Sequence, residues 1–268
     1  MNISTDYGFQ FKKIIHLLSV IDSEISIDTY KYGTVVLSVI NRQYSFKVQV
    51  HLDEIFFFSS SNFKFRCQRQ ILLDVFIWLH LLQNVGVKDA VCTNWSENGN
   101  FTVHVTNPNI QSICNDLRVT SENIKKRIKW SSIENTGDNV SGLIFIESYK
   151  VKFFDTEVKF ISELYQDVEF SVARNNPFTI SAKNNYSEVS IAMSTELTYS
   201  KHNKMLPHIK FKTNSNIFIE CFTRAFEISE SREFEVHLLS DDPEYFKVSN
   251  IRFQFNMKQR MCFLVLDL

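Results

Sequence analysis

Glycine and proline are scarce in this chain, with 6 and 4 residues respectively among 268. Loops that wrap a phosphate group need glycine, because its small size lets backbone N–H groups approach the ligand. Neither of the two common glycine-rich signatures, G-x-G-x-x-G and G-x-x-x-x-G-K, occurs in the sequence. The sequence therefore disfavours a nucleotide-binding loop of either kind.

Cysteine is also sparse, and its pattern contains no C-x-x-C pair. An odd number of widely spaced cysteines is typical neither of a zinc ribbon nor of a disulfide framework. Reduced and mostly buried thiols in an intracellular protein are the expectation for such a pattern. The five cysteines are Cys67, Cys92, Cys114, Cys221 and Cys262.

Long apolar runs are absent as well. The N-terminal stretch "MNISTDYGFQFKK" has no apolar signal core, and no run reaches the roughly 20 residues of a membrane span. The sequence thus predicts an intracellular protein with no membrane partner. The net charge is −1, so the total does not indicate a nucleic-acid partner, although a local basic face is compatible with it.

Motifs for catalysis are missing too. The seven histidines are dispersed, and neither H-E-x-x-H nor G-x-S-x-G occurs. The carboxylates of "SDDPE" (240–244) are grouped around a proline, which is first a turn signal. We therefore expect no enzyme activity, no cofactor and no metal site.

One apolar stripe marks the first predicted helix, "GFQFKKIIHLLSVI" at residues 8–21. Apolar residues recur there at i, i+3, i+4, i+7 and i+10, which is the spacing of one helix face. The stripe consists of Phe11, Ile14, Ile15, Leu18 and Ile21, and the remaining surface carries Lys12, Lys13, His16 and Ser19. Short runs with the character of β-strands follow, namely "EISID", "TVVLSVI" and "SFKVQVH".

This helix-then-strands unit is predicted four times, at intervals of about 60 to 80 residues. The further helices are expected at 69–82, 149–165 and 216–229, and the third of these mixes two periods. The units pair into two halves, which predicts domains at 1–119 and 140–268 joined by a polar connector at 120–139. The fold class is α+β, with antiparallel sheets and helices on one face.

Five phenylalanines crowd the stretch "DEIFFFSSSNFKF" at residues 53–65. Because side chains alternate in an extended chain, the three consecutive rings cannot all face the same way. Core packing is the first interpretation, and partner docking and small-ligand binding stay open as alternatives.

The order of these features resembles that of a DNA sliding-clamp subunit. The resemblance is carried by "FKKIIHLLSVIDSEISI", then "GTVVLSVINRQYSFKVQVHLDEIFFF", then "FKFRCQRQILLDVFIWLHLL". The proliferating-cell clamp (PCNA) has comparable elements in the same order. The aromatic residues after "HLDEI", together with "VLSVINRQYSFKVQV", look more like the DNA-damage checkpoint clamp, and most like the "nine" subunit of the nine-one-one complex.

The resemblance implies a non-catalytic, nuclear subunit of a ring around double-stranded DNA. Its implied partners are two other clamp-like subunits that complete a heterotrimer, a clamp loader, and repair and checkpoint proteins. One alternative is a homotrimeric replication clamp, and another is an α+β enzyme or ligand carrier with an unrecognised site. The family's "nine" subunit usually continues into a phosphorylated tail, whereas this sequence ends at the apparent strand "MCFLVLDL", which leaves that signalling role open.

In a clamp, helices line the pore and their cations attract phosphates. The resemblance places the following residues on that face: Lys12, Lys13, His16, Arg66, Arg69, Lys150, Lys152, Lys159 and Arg224. A solvated charged surface is the competing interpretation of each. The fourth helix departs from the pattern, because Glu220 and Glu227 make its polar face net acidic. The resemblance also implies a pocket for partner peptides near the connector, with Ile128 and Trp130 as candidates.

Overall fold

The chain folds into two compact units in the computed structural model. The first unit comprises Met1–Val39, Gln49–Thr136 and Lys258–Phe263, and the second comprises Ile40–Val48, Gly137–Met257 and Leu264–Leu268. The residues that the structure describes are 2–29, 34–41, 46–53, 69–95, 101–106, 117–119, 130–132, 144–152, 161, 165, 167–173, 176–201, 208–229, 233–240, 248–257 and 262–267. The predicted connector at 120–139 is therefore described only at 130–132.

Among its described residues, the first unit contains two helices and two groups of antiparallel strands. Its elements, of which β3 and β4 each have a part in Ile40–Val48 of the second unit, are β1 (Asn2–Thr5), α1 (Gly8–Ser19), β2 (Glu24–Thr29), β3 (Val35–Asn41), β4 (Phe46–Leu52), β5 (Arg69–Asp74), α2 (Val75–Leu82), β6 (Ala90–Trp95), β7 (Phe101–Thr106), β8 (Leu117–Val119) and β9 (Trp130–Ser132). One group has the strand order β1-β6-β7-β8, and the other has the order β4-β3-β2-β5-β9. Strand β4 buries every second residue, as a strand with one face on the core should.

Helix α1 forms where the apolar stripe predicted it, and all five stripe residues are buried. Leu17 is buried as well, so the face that packs on the core is wider than the i, i+3, i+4 pattern indicated. Phe11 meets Trp78 of α2 edge to face, with ring centroids 5.1 Å apart. This contact is part of the packing that holds α1 against α2.

The second predicted helix is wrong in its first half. Residues Arg69–Asp74 form β5, which pairs with β2, and only Val75–Leu82 is helical. The side chain of Asp74 accepts a hydrogen bond from the backbone N–H of Phe76 (2.9 Å), so Asp74 is the N-cap that starts α2. Apart from Asp74, apolar residues continue from the strand into the helix, and periodicity alone did not locate the junction.

The second unit has the same kind of construction. Its elements are β10 (Ile144–Lys152), β11 (Asp167–Ala173), β12 (Asn176–Lys183), β13 (Glu188–Met193), β14 (Thr195–Ser200), β15 (Ile209–Asn214), α3 (Ser215–Ile228), β16 (Glu233–Ser240), β17 (Asn250–Asn256) and β18 (Cys262–Asp267). The strand orders are β14-β10-β16-β17-β18 and β13-β12-β11-β15. Helix α3 confirms the predicted helix at 216–229 to within one residue at each end.

The helix predicted at 149–165 is wrong over its first turn. Residues 149–152 belong to β10, where Tyr149 and Val151 lie opposite Val236 and Phe234 of β16. Tyr149 and Val151 are buried and alternate with two more exposed lysines, so the period there is two rather than 3.6. Ile161 is helical, and the stretch 153–160, which contains Lys159, lies outside the described residues.

Phenylalanine fills the core of the second unit. The ring of Phe222 on α3 has its centroid 5.0 Å from that of Phe234, 5.1 Å from that of Phe255 and 5.8 Å from that of Phe253. These rings meet at steep angles, which is the favoured geometry for aromatic pairs. The phenylalanine-rich stretch after Asp53 lies outside the described residues, so its three interpretations stay open.

Candidate functional site

The polar face of α1 carries three basic side chains in different environments. Lys12 is half-buried, and its Nζ donates hydrogen bonds to the carbonyl oxygens of Gln83 (2.6 Å) and Val85 (3.4 Å). The Nζ of Lys13 lies 5.1 Å from the centroid of the Phe9 ring, a cation–π distance. His16 is exposed in the last turn of the helix. The structure thus brings Lys12, Lys13 and His16 together on one helix, as predicted, and Lys12 reaches across to the end of α2.

The exposed face of α2 carries no lysine or arginine. The helix reads "VFIWLHLL", and its outward residues include Phe76, which is 57% exposed, and His80. An apolar ring and a histidine cannot supply a fixed positive charge. Of the two described helices of this unit, α1 is therefore the one that carries lysine.

The polar face of α3 is acidic. Its charged residues are Glu220, Arg224 and Glu227, which sum to −1. Arg224 donates from Nε (3.1 Å) and Nη2 (2.7 Å) to the same carboxylate oxygen of Glu220. The one cation that the sequence placed on this helix is thus paired with its neighbour one turn earlier, an i,i+4 ion pair.

Lys150 and Lys152 lie on a strand instead of a helix. Both face Glu233 of β16, with Nζ–Oε distances of 2.6 Å for Lys150 and 3.9 Å for Lys152. The hydrogen bond that Lys150 donates to Glu233, together with the negative charge of that carboxylate, raises the pKa of Lys150 above its usual value. The premise that a helix carries these two lysines is therefore wrong, and their contact with DNA stays a prediction.

Of the other predicted site residues, the structure describes the backbone of Arg69 and of Trp130. Arg69 is in β5, with its backbone opposite Thr29 and Ser132. Trp130 is in β9, opposite Ile71, so the backbone of this candidate pocket residue belongs to a sheet of the first unit. The remaining candidates, Arg66, Lys159 and Ile128, lie outside the described residues.

A polar network that the sequence did not indicate joins β10 to β16. The Oγ of Ser148 is 2.8 Å from Nδ1 of His237, and Nε2 of His237 is 3.3 Å from a carboxylate oxygen of Glu235. The Phe145 ring meets the imidazole edge to face, with centroids 5.2 Å apart. Ser148 and His237 are each 6% exposed, whereas the Glu235 side chain is 37% exposed, so the hydroxyl and the imidazole are buried and the carboxylate lies at the surface. Ser148 and His237 are 89 residues apart in sequence, and the register of β10 against β16 places them opposite each other.

A metal site, a membrane-spanning helix or a reactive cysteine in the part of the chain that the structure describes would indicate another functional class. No three metal-ligating side chains come together among those residues. Within the same residues, no helix is long and apolar enough to cross a membrane. Burial raises the pKa of the Cys221 thiol to about 12, so this cysteine stays protonated and unreactive at neutral pH.

Comparison with known proteins places the fold. No protein-family model matches the sequence, and no curated protein matches it. Among solved structures, the chain is similar to a crystal structure of a PCNA2–PCNA3 complex from Sulfolobus tokodaii, with a TM-score of 0.68. The match covers 100% of this chain and 98% of the other at 12% identity.

The fold is therefore that of the PCNA-like sliding clamps, which confirms the α+β class and the clamp architecture predicted from the sequence. At 12% identity the likeness concerns the fold alone.

Proposed function

We propose that this chain is a non-catalytic subunit of a ring-shaped sliding clamp that encircles double-stranded DNA. The observation that carries the proposal is the match of the whole chain, end to end, to a subunit of a PCNA complex. A likeness over part of the chain would leave room for an unrelated activity. Here both units are accounted for by the clamp fold.

The proposed contact with DNA is electrostatic. Helix α1 buries its apolar stripe, leaves His16 exposed, and holds the half-buried Lys13 against the Phe9 ring. Attraction between such cations and backbone phosphates does not depend on base sequence, because phosphates repeat at every step of the duplex. A ring held by such contacts can slide. On α3, the acidic face keeps this attraction weak.

The proposed assembly uses open strand edges. Among the described strands, β8 ends one sheet of the first unit and β13 ends one sheet of the second. Backbone N–H and C=O groups at such an edge can pair with a strand of another chain. A closed ring would satisfy the edges of every subunit. The related structure is itself a complex of two different PCNA chains, which supports clamp-like partners for this chain.

Within this class we propose a checkpoint clamp that forms a heterotrimer in the nucleus, together with a clamp loader and with repair and checkpoint proteins. The support is the resemblance of the first 120 residues to the "nine" subunit of the checkpoint clamp. The second candidate is a homotrimeric replication clamp, which the fold supports equally well. Self-association separates the two, since a replication clamp forms its ring from one chain.

The test is to express the chain alone and together with two other clamp-like chains of the same organism. Light scattering should show a trimer only with both partners, and electron microscopy should show a ring. After loading on a nicked circular plasmid, the ring should stay bound in high salt and slip off when the plasmid is linearised. A trimer of the chain alone would favour the replication clamp. A monomer under all conditions, or retention that ignores linearisation, would refute the clamp.

A further inference from the structure

Lys12 joins two helices that are far apart in sequence. Its Nζ lies 2.6 Å from the carbonyl oxygen of Gln83 and 3.4 Å from that of Val85. Gln83 is the C-cap of α2, and Val85 follows two residues later. Lys12 therefore reaches from the second turn of α1 to the carboxyl end of α2.

The carboxyl end of α2 is a suitable place for an ammonium group. The last carbonyl groups of a helix have no partner within the helix, and they form the negative end of its dipole. An ammonium has three N–H donors and can satisfy two carbonyl groups at once. The described backbone bonds at this end run from the N–H of Gln83 to His80 O (3.4 Å) and from the N–H of Val85 to Leu82 O (3.0 Å). They leave the carbonyl oxygens of Gln83 and Val85 to accept from Lys12.

A second attachment lies one helical turn earlier on the same face of α1. The backbone N–H of Gly8 donates to the carbonyl oxygen of Asp89 (3.2 Å), and a Cβ at Gly8 would lie 2.3 Å from that oxygen. The Asp89 carboxylate in turn accepts from the N–H of Gly86 (2.7 Å), which shapes the turn after α2. Positions i and i+4 of a helix are neighbours, so Gly8 and Lys12 hold α1 to the segment 83–89 at two adjacent points.

We propose that Lys12 is a positioning residue that locks α1 to the end of α2, and that phosphate contact on α1 falls to Lys13 and His16. The second half of this statement rests on the proposed clamp function, whereas the lock does not. The adjacent lysine makes a useful comparison, because the ammonium of Lys13 packs on Phe9 of its own helix. In this proposal Lys12 positions the helix, whereas the neighbouring Lys13 contacts phosphate.

The lock is tested by comparing Lys12→Met with Lys13→Met in the full chain. Methionine keeps the apolar stem and helix propensity but removes the charge and the donors. We expect Lys12→Met to lower Tm by about 2–4 °C and to speed amide exchange in segment 83–89 about fivefold. Lys13→Met should leave that exchange rate unchanged. Equal exchange in the two variants would overturn the lock.

Binding to double-stranded DNA is measured on the same variants as the salt concentration that elutes each from a DNA column. Lys13→Met should elute at lower salt, and folded Lys12→Met should elute with the wild type. A Lys12→Met protein with wild-type Tm and exchange but earlier elution would overturn the proposal. If the wild type does not bind DNA in any assembly, the clamp function fails, and exchange in 83–89 still decides the lock.

If Lys12→Met does not fold, Lys12→Arg provides the second variant. Arginine retains the positive charge and several N–H donors at nearly the same reach. Tm within about 2 °C of the wild type would support the lock. A Lys12→Arg chain that also fails to fold would overturn it, because the charge and donors would then be insufficient to explain the requirement.

Discussion

Replacing Glu220 with glutamine should strengthen the proposed DNA contact of α3 by releasing Arg224. In the wild type, the Arg224 guanidinium donates two hydrogen bonds to one oxygen of Glu220, at 3.1 and 2.7 Å. The two side chains are 28% and 47% exposed, so the pair is partly solvated. An exposed ion pair of this kind contributes only about 0.3–0.5 kcal/mol to stability. The substitution should therefore leave the fold intact while it changes the charge of α3 from −1 to 0.

The size of the effect follows from counterion release. Each added phosphate contact steepens the plot of log K against log salt by about 0.9. Across a fourfold rise in salt, from about 50 to 200 mM, this slope corresponds to an additional factor of about 3.5 in the loss of affinity. The assay is DNA retention of the assembled ring as a function of salt. We expect Glu220→Gln to bind more tightly at low salt and to show the steeper slope.

A matched control comes from a different ion pair in the same unit. Glu169 on β11 pairs with Lys210 on β15 at 2.9 Å, so Glu169→Gln releases a cation from a sheet and not from a helix. If helices make the DNA contact, this variant should bind DNA like the wild type. An equal gain from both variants, or no gain from Glu220→Gln, would refute the assignment of α3 to the DNA-facing side.

Three further predictions concern the fold. Phe222→Ala should lower the free energy of unfolding by about 3–5 kcal/mol, because it leaves a cavity at the centre of the phenylalanine core; urea titration measures this change. The control is Tyr186→Ala, at a residue that is 96% exposed, which should change the free energy of unfolding by less than about 0.5 kcal/mol. Gly8→Ala should cost about 1–3 kcal/mol, because its Cβ would collide with the Asp89 carbonyl, and an unchanged Tm would contradict the close approach. The hydrogen bond from Lys210 lowers the pKa of Glu169 below its ordinary value of 4.5, so the associated stability is present above that value and is lost as pH falls through the lowered pKa. Unfolding measured in acid should therefore show a weaker pH dependence for Glu169→Gln, and identical pH profiles would contradict the pairing.

Periodicity was sufficient for the isolated amphipathic helices. Helices α1 and α3 each carry an apolar stripe flanked by polar residues, and both formed at the predicted residues. It failed at β5 and at β10, where residues predicted to be helical pair instead with strands that are remote in sequence. The N-cap Asp74 was the available signal for the start of α2, since aspartate is a preferred N-cap residue.

The candidate site was predictable only as a set of residue types. That Lys12, Lys13 and His16 share one helix face follows from the 3.6-residue repeat. That Lys12 is engaged by Gln83 and Val85 does not follow, because those carbonyl groups are over 70 residues away in sequence. The pairing of Lys150 with Glu233 likewise depends on the register of β10 against β16.

The sequence by itself determined the class of fold, the positions of α1 and α3, and the absence of motifs for common catalytic chemistries, because each depends on local spacing or composition. The partners of individual cations, such as the carbonyl groups that bind Lys12 and the carboxylate that binds Lys150, came from the three-dimensional arrangement. The reason is physical: a charge is assigned to a partner by distances of a few ångströms, and such distances arise from contacts between segments that are remote along the chain.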